Sequence, residues 1–279
     1  MRRGLQSWGV VSLALLLAAC ATGESDKQRE LHLLLDKGRA YLERGNAPMA
    51  LHSLQQAERL QPQQVEVLTL LGLAYDRTDQ PLLALSSLEE AYRLQPGGGA
   101  LRNNLGVARL RVYTATCGDA LREECSRLLR LAEEDMRAAL HDPQLRAAEE
   151  VYYNLALLYK QRGQQSEQWT ALQQALAHRP HFLPAYLELA DYYREAGQRE
   201  RERQQLRTAL AAHPDQVVVL QKLVESYRWS EGSAGQLLDE VTGKERLELH
   251  AWLSRILALA PGSAWAQRAA QRIWLLDEK

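Results

Sequence analysis

The sequence predicts an all-α protein built from about six stacked helix–turn–helix repeats. Leu, Ala, Gln, Glu and Arg dominate the 279 residues, only one Phe is present, and the abundant residue types favour helices. Prolines also recur at a fixed spacing, because Pro62 and Pro96 are 34 residues apart and so are Pro180 and Pro214. This period in a helical sequence indicates one helical hairpin per repeat, stacked on the next hairpin.

Four regular repeats cover residues 31–64, 65–98, 149–182 and 183–216 (repeats one, two, four and five). With the shared proline numbered position 32, small residues recur at positions 8 and 27, and large residues recur at positions 4, 7, 11 and 24. This pattern resembles the tetratricopeptide (TPR) family, which implies a right-handed solenoid of paired helices A and B. In repeat two the pattern consists of Leu68, Leu71, Gly72, Tyr75, Ala84, Leu88, Ala91 and Pro96.

Local turn chemistry marks the boundary between helix A and helix B. Gly45, Gly163 and Gly197 fall at this boundary in their repeats, where the end of a helix favours glycine. Pro48 and Pro81 fall at the start of helix B, where proline costs no helical hydrogen bond. Both observations favour the same division of the repeats into two helices.

Two repeats are irregular, namely repeat three at residues 99–145 and repeat six at residues 217–263. The proline that closes each of them follows the preceding repeat proline by 47 residues, so each repeat holds about 13 extra residues. With these insertions the solenoid covers residues 29–263. Residues 264–279 form an amphipathic stretch, which we interpret as a capping helix that covers the last open face.

The N-terminal segment has the layout of a secretory signal. Arg2 and Arg3 precede an apolar run from Trp8 to Ala19, which is too short to span a bilayer. Leu17-Ala18-Ala19-Cys20 resembles the lipobox of bacterial lipoproteins. The resemblance implies a signal peptide at residues 1–19, acylation (palmitate) at Cys20, and a lipidated tether over residues 20–28. Because Ala21 replaces the Asp that retains lipoproteins in the inner membrane, we expect outer-membrane sorting towards the periplasm.

Cys117 and Cys125 form an even pair in the exported chain, and an oxidising compartment favours a disulfide bond between them. Two free thiols and a partial zinc site are the alternatives. In one helix, residues eight apart are separated by roughly 12 Å, whereas a disulfide needs Cα atoms within about 7 Å. The bond therefore requires a turn, for which Gly118 and Asp119 are suited. We expect the first insertion to be a loop that extends neither helix.

Composition and motifs argue against several functional classes. Without Arg2 and Arg3 the chain has 32 basic and 35 acidic residues, so no basic excess points to nucleic acid. His178 and His181 flank an inter-repeat turn and make a poor metal site. The triplet Gly97-Gly98-Gly99 lacks the Lys-Ser/Thr of a phosphate loop. We therefore expect no catalytic residues, metal, cofactor or small-molecule substrate, and no enzyme activity.

The TPR resemblance implies a concave, peptide-binding groove lined by positions 2, 5, 9, 12 and 13 of the A helices. The residues at these positions are mixed in polarity, which suggests a partly apolar protein segment as the ligand. Hot spots of protein interfaces favour Trp, Tyr and Arg. The leading candidates are therefore Tyr153, Arg194, Arg228 and Trp229. The candidate residues are Arg39, Asn103, Tyr153, Leu157, Lys160, Asp191, Arg194, Arg228 and Trp229.

A lipobox followed by about six TPR repeats resembles the pilotin lipoproteins of type IV pili, the PilF/PilW/Tgl group. Three segments carry the resemblance within the repeats. It implies an outer-membrane lipoprotein that faces the periplasm and helps the secretin ring to assemble. The two insertions and the cysteine pair depart from that pattern. The matching segments are residues 102–106 (Arg-Asn-Asn-Leu-Gly), 138–143 and 150–156.

Two other functions remain open at the level of the sequence. One is a TPR lipoprotein of another envelope system, such as tight-adherence pilus assembly, secretion or outer-membrane maintenance. The other is an accessory subunit of a periplasmic peptidoglycan synthase or hydrolase. In all three cases the partner is a protein of the cell envelope.

Overall fold

The computed structural model describes residues 26–117, 123–227 and 242–277, except for the side chains of residues 275 and 277. Within these ranges the chain forms thirteen helices and no strand, which confirms the all-α class. The signal peptide, Cys20, the turn residues Gly118 and Asp119, and the groove candidates Arg228 and Trp229 lie outside the described residues.

Helix α1 spans residues 26–43. Residues 26–28 were expected in the tether and instead belong to this helix, so the tether prediction is wrong for them. The remaining helices are α2 (Ala47–Leu60), α3 (Val65–Arg77), α4 (Pro81–Leu94), α5 (Gly99–Thr116), α6 (Glu123–Leu140), α7 (Ala148–Gln161), α8 (Gln165–His178), α9 (Leu183–Glu195), α10 (Arg199–Ala212), α11 (Val217–Glu225), α12 (Gly243–Leu259) and α13 (Ala264–Asp277).

The chain divides into two compact units, Met1–Arg146 and Ala147–Lys279, here called the N-terminal body and the C-terminal body. In the N-terminal body α3 packs on α4 and α5 on α6, while α2 contacts α3 and α4 contacts α5. In the C-terminal body the pairs are α7–α8, α9–α10 and α11–α12; α8 contacts α9, α10 contacts α11, and α13 packs on α12. Helix B of a repeat thus packs on helix A of the same repeat and on helix A of the following repeat. This is the arrangement of a TPR solenoid.

Position 8 of helix A is where the two helices of a repeat meet. In the N-terminal body it is occupied by glycine, and a Cβ built on Gly72 would lie 2.5 Å from Cγ of Leu88. The corresponding distance from Gly38 to Leu54 Cδ2 is 2.6 Å. In the C-terminal body Ala156 and Ala190 occupy the position and are only 1% exposed. The two bodies therefore pack the same position differently.

The turns between helix A and helix B use the left-handed backbone region. The φ angles of Gly45, Gly163 and Gly197 are 73°, 68° and 71°, which is the conformation that glycine tolerates best. Repeat two has Asp79 at this place, with φ of 57°. In each turn the next backbone N–H closes the helix, as Gln80 does by donating to the Tyr75 carbonyl at 2.9 Å.

Repeat three has longer helices than its neighbours. Helices α5 and α6 have 18 residues each, whereas α3 and α4 have 13 and 14. The extra residues therefore lengthen both helices, and the expectation of a loop that extends neither is wrong. The added turns are stable because their apolar side chains continue the buried stripe, with Val112 and Leu129 only 5% and 7% exposed.

The disulfide bond expected between Cys117 and Cys125 is present, with their Cα atoms 5.8 Å apart. Cys117 caps the end of α5, and Cys125 lies in α6 close to its start. The bond therefore joins the tips of the two lengthened helices.

The core of the C-terminal body continues through repeat six into α13. Tyr227, Leu249, Trp252 and Ala269 belong to one buried cluster. The guanidinium of Arg203 lies 3.7 Å from the centre of the Tyr227 ring. This contact fixes the end of α11 against α10.

Candidate protein-binding face

The A helices of each body carry stripes of side chains that face the same way. On α7 these are Tyr153, Leu157 and Lys160, which are spaced by four and three residues and therefore share one helix face. On α9 the equivalent stripe contains Asp191 and Arg194. The described groove candidates of the C-terminal body thus lie on one face, called here the A-helix face and defined by the exposed stripes of α7, α9 and α11.

Ion pairs connect successive A helices across this face. The Lys160 ammonium on α7 is 3.1 Å from Oε2 of Glu188 on α9, and 3.6 Å from Oε1 of Glu195. The Lys222 ammonium on α11 donates to Oδ1 of Asp191 at 2.6 Å. Burial alone would lower the pKa of Lys160, but the charge and hydrogen bond of Glu188, with Glu195 and Asp191, raise it. Lys160 therefore remains charged at neutral pH.

Arg194 shares the carboxylate of Asp191, since its Nη2 lies 2.9 Å from Oδ1. It is among the predicted hot-spot residues, and the structure shows it paired with a carboxylate of its own helix.

Tyr153 lies at the apolar end of the α7 stripe. Its ring meets the Phe182 ring edge-on, with centroids 5.7 Å apart. Burial raises the pKa of the Tyr153 phenol, and the nearby carboxylates of Glu188 and Asp191 raise it further. The side chain is therefore a neutral aromatic group beside the acidic groups of α9.

The N-terminal body has the same construction. Arg39 on α1 pairs with Asp36 at 2.9 Å and also with Glu66 on α3. Arg111 on α5 reaches back to Asp76 at 3.1 Å and to Asp79 at 3.0 Å. Each pair of neighbouring A helices within a body is thus joined by at least one ion pair.

Asn103 does not fit the groove prediction. It is only 8% exposed, because α5 is packed between α4 and α6. The side chain therefore lies inside the repeat, where it is not available to a partner.

The acceptors and donors that complete these ion pairs were not among the predicted site residues. They include Glu66, Arg111, Glu188 and Lys222. A signal existed in the sequence, since opposite charges occupy facing stripes of successive A helices. Which residues pair depends on how far the side chains of one repeat extend towards the next. The 34-residue period does not specify this.

Two other groups that could attract a ligand are already occupied within the protein. The N–H of Gly99, at the start of α5, donates to the carboxylate of Asp142. That carboxylate occupies the helix N-terminus, which an anion would otherwise use. His178 stacks on Tyr152 with ring centroids 5.2 Å apart. Among the described residues no group of three or more His, Cys, Asp or Glu side chains could hold a metal ion.

Across residues 26–117, 123–227 and 242–277, no helix combines the length and apolar character that crossing a bilayer requires.

No protein-family model matches the sequence, and no curated protein matches it. Solved structures do match its fold. PilW, described as a widely conserved type IV pilus biogenesis factor, has 17% sequence identity and a TM-score of 0.59, over 86% of this chain and 98% of PilW. PilF of Pseudomonas aeruginosa has 16% identity and a TM-score of 0.58, over 91% of this chain and all of PilF (100%).

TTC0263, a thermophilic TPR protein of Thermus thermophilus, has 21% identity and a TM-score of 0.61, over 72% of this chain and 98% of that protein. At these identities the likeness shows the fold. The chain therefore has the fold of TPR proteins, which it shares with PilF and with the type IV pilus biogenesis factor PilW.

Proposed function

We propose that this protein is a lipid-anchored TPR scaffold of the outer membrane that faces the periplasm and assists assembly of the type IV pilus secretin. The likeness to PilW carries the proposal, because it extends over almost all of PilW and over both bodies of this chain. The helical repeats support a role in protein–protein interaction, since stacked TPR hairpins present extended surfaces to protein partners.

The anchor follows from the N-terminal sequence. Cys20 ends a lipobox-like segment, and residue 26 already belongs to α1, so no more than five residues separate the proposed lipid site from the first helix. Five extended residues reach at most about 18 Å. The lipid would therefore hold the N-terminal body close to the membrane surface.

A deletion strain tests the pilus role. We expect loss of the gene to lower the fraction of multimeric secretin in native gels of outer membranes, and to reduce surface pili seen by electron microscopy. The wild-type gene should restore both properties. The Cys20→Ala variant should be released from the membrane fraction and restore them poorly.

Three results would contradict the proposal. Unchanged secretin multimers and pili in the deletion strain would exclude the pilus role. A changed muropeptide profile with normal pili would favour the peptidoglycan-enzyme alternative. A Cys20→Ala protein that stays membrane-bound at the same size would exclude the lipid anchor.

A further inference from the structure

The tether reaches the N-terminal body at one edge of its helix stack. Lys27, near the start of α1, lines a small cavity together with Leu60 and Gln61 at the end of α2. The start of α1 therefore lies beside the loop that follows α2. This edge, called here the tether edge, consists of the start of α1 and the inter-repeat loops at residues 61–64 and 95–98. The turns between helix A and helix B lie at the opposite edge, because helices joined by short loops run antiparallel.

The length of the tether decides which edge can face the membrane. The opposite edge, called here the turn edge, consists of residues 44–46 and 78–80 with the first residues of α2 and α4. Helix α1 joins the two edges, and its 18 residues make it about 27 Å long. No more than five residues separate Cys20 from α1, and they reach at most about 18 Å. The lipid therefore cannot enter a bilayer that faces the turn edge.

The two loops of the tether edge contain no charged residue. Their sequences are Gln-Pro-Gln-Gln at residues 61–64 and Gln-Pro-Gly-Gly at residues 95–98, and six of these eight residues are exposed. The next three inter-repeat loops contain Asp142, Arg179 and Asp215. The two loops that lie nearest to the tether are therefore uncharged, whereas the three that follow them in the chain are not.

An uncharged edge approaches lipid headgroups at low cost. A charged side chain that is moved from water onto a lipid surface loses hydration, and anionic headgroups also repel Asp and Glu. The charges that flank the two loops are largely paired, as Asp26 is with Arg29 at 3.4 Å and Glu90 with Arg93 at 2.6 Å. Glutamine amides can donate hydrogen bonds to phosphate oxygens. Because the lipid holds this edge near the surface at a high effective concentration, weak contacts suffice to orient the body.

We infer that the N-terminal body rests on the phospholipid surface through its tether edge, with loops 61–64 and 95–98 against the headgroups. This rests on the proposed function, because it requires a lipid at Cys20. The turn edge then stands about 27 Å from the bilayer. Leu82 and Leu83 at the turn edge, which are 62% and 48% exposed, therefore face away from the lipid and towards protein partners.

The orientation can be measured on the full, acylated chain in vesicles of phosphatidylethanolamine and phosphatidylglycerol. A small fluorophore is attached to one introduced cysteine at a time, and nitroxide groups on the lipid headgroups quench it at short range. The native cysteines do not react with the fluorophore, because Cys117 and Cys125 are bonded to each other and Cys20 is acylated in this preparation.

Repeats one and two each supply a matched pair of positions for the fluorophore. Gln61→Cys and Gln95→Cys place it on the tether edge, whereas Glu43→Cys and Leu82→Cys place it on the turn edge, and all four native side chains are exposed. Quenching should be at least about threefold stronger on the tether edge, because the two edges are roughly 20–27 Å apart. Equal quenching at the two edges, or stronger quenching at the turn edge, would overturn the inference.

Added charge tests whether the loops themselves contact the headgroups. Gln61→Glu combined with Gln63→Glu should lower quenching at residue 95 at least about twofold, and high salt should restore it, because screening weakens the repulsion. The control adds the same two charges at the turn edge, as Leu82→Glu combined with Leu83→Glu, and should leave quenching at residue 95 unchanged. Both double variants must keep the helicity of the parent chain. Unchanged quenching in the first double variant would show that the loops do not contact the headgroups and would overturn the inference.

The inference and the proposed function fail through different results. Stronger quenching at the tether edge together with normal secretin multimers in the deletion strain would support the orientation and remove only the pilus role. Equal quenching at both edges together with fewer secretin multimers would remove the orientation and leave the pilus role standing. A Cys20→Ala chain that stays membrane-bound would remove the lipid anchor and, with it, the inference.

Discussion

Position 8 of helix A distinguishes the two bodies of this protein. In the N-terminal body Gly38, Gly72 and Gly106 occupy it, and a Cβ at any of them would meet a side chain of the facing helix within 2.7 Å. In the C-terminal body Ala156, Ala190 and Val224 occupy it and are buried. The same position is therefore filled by glycine in one body and by larger buried residues in the other. The facing position holds leucine in the regular repeats of both bodies, so the type of facing residue does not determine this choice.

Gly106→Ala should have the largest effect on stability. Its Cβ would lie 2.7 Å from Cγ of Met136 and 2.9 Å from the backbone carbonyl oxygen of Ala132, so α6 itself must shift. We expect a loss of about 3 kcal/mol in the free energy of unfolding, measured by urea denaturation.

Gly243→Ala is the matched control, because no atom lies within 4 Å of its added Cβ at the start of α12. It should leave stability unchanged or raise it by up to about 1 kcal/mol. If both variants behave alike, close packing does not explain the glycines of the N-terminal body.

Cys125→Ser should have the second-largest effect on stability. It tests whether the N-terminal body depends on the disulfide bond between Cys117 and Cys125. Loss of a loop closed over about nine residues costs roughly 2–3 kcal/mol in the chain-entropy model. Hydrogen exchange should accelerate in α5 and α6, which the bond joins, and remain unchanged in α9 and α10. Reduction of the parent chain should reproduce the result, whereas uniform acceleration in both bodies would contradict it.

Ala190→Gly tests the comparison in the opposite direction. Here the native residue has a Cβ that is buried, with 1% exposure in α9. Its removal costs about 1 kcal/mol of helix propensity and about 0.8 kcal/mol for the lost methyl group. We expect a total loss of about 2 kcal/mol by denaturation. A neutral result would show that the C-terminal body also tolerates the glycine spacing.

Asp142→Asn should have the smallest effect, and the effect should depend on pH. Hydrogen bonds from the backbone N–H groups of Gln144 and Gly99 lower the pKa of the Asp142 carboxyl. A lowered folded-state pKa gives stability that is present above the unfolded value, about 3.9, and is lost as pH falls through the folded value. The melting temperatures of parent and variant should differ at about pH 7 and converge as pH falls through the lowered folded-state pKa of Asp142. A constant difference would exclude this ionic contribution.

Much of the fold could be predicted because its signals are local. The proline period and the small residues at position 8 reflect helix contacts that recur in every repeat, and the glycines at 45, 163 and 197 reflect a backbone requirement. The lengthened helices of repeat three could not be predicted from the turn-forming residues. Gly118 and Asp119 suggested a loop, whereas buried Val112 and Leu129 extend the helices through tertiary packing.

The candidate face was harder to predict, since position within a repeat does not determine exposure. Asn103 occupies a groove position by number, yet packing of α5 against two helices buries it. Arg194 has a suitable charge, yet Asp191 on its own helix already binds it. Which side chains remain exposed is decided by local pairing and by packing on neighbouring helices, and neither follows from the position number within a repeat.

At Asp79 an unfavourable backbone conformation is combined with a favourable ion pair. Its left-handed backbone costs a non-glycine residue about 1 kcal/mol, and an exposed ion pair with Arg111 returns a similar or smaller amount. The balance is close to zero, so stability does not account for the choice of aspartate. What the carboxylate adds is orientation, because it draws the Arg111 side chain of α5 towards the end of α3. Replacing Asp79 with glycine, the residue found at this place in repeats one, four and five, would change stability little. It would remove a contact that orients Arg111 between repeats two and three.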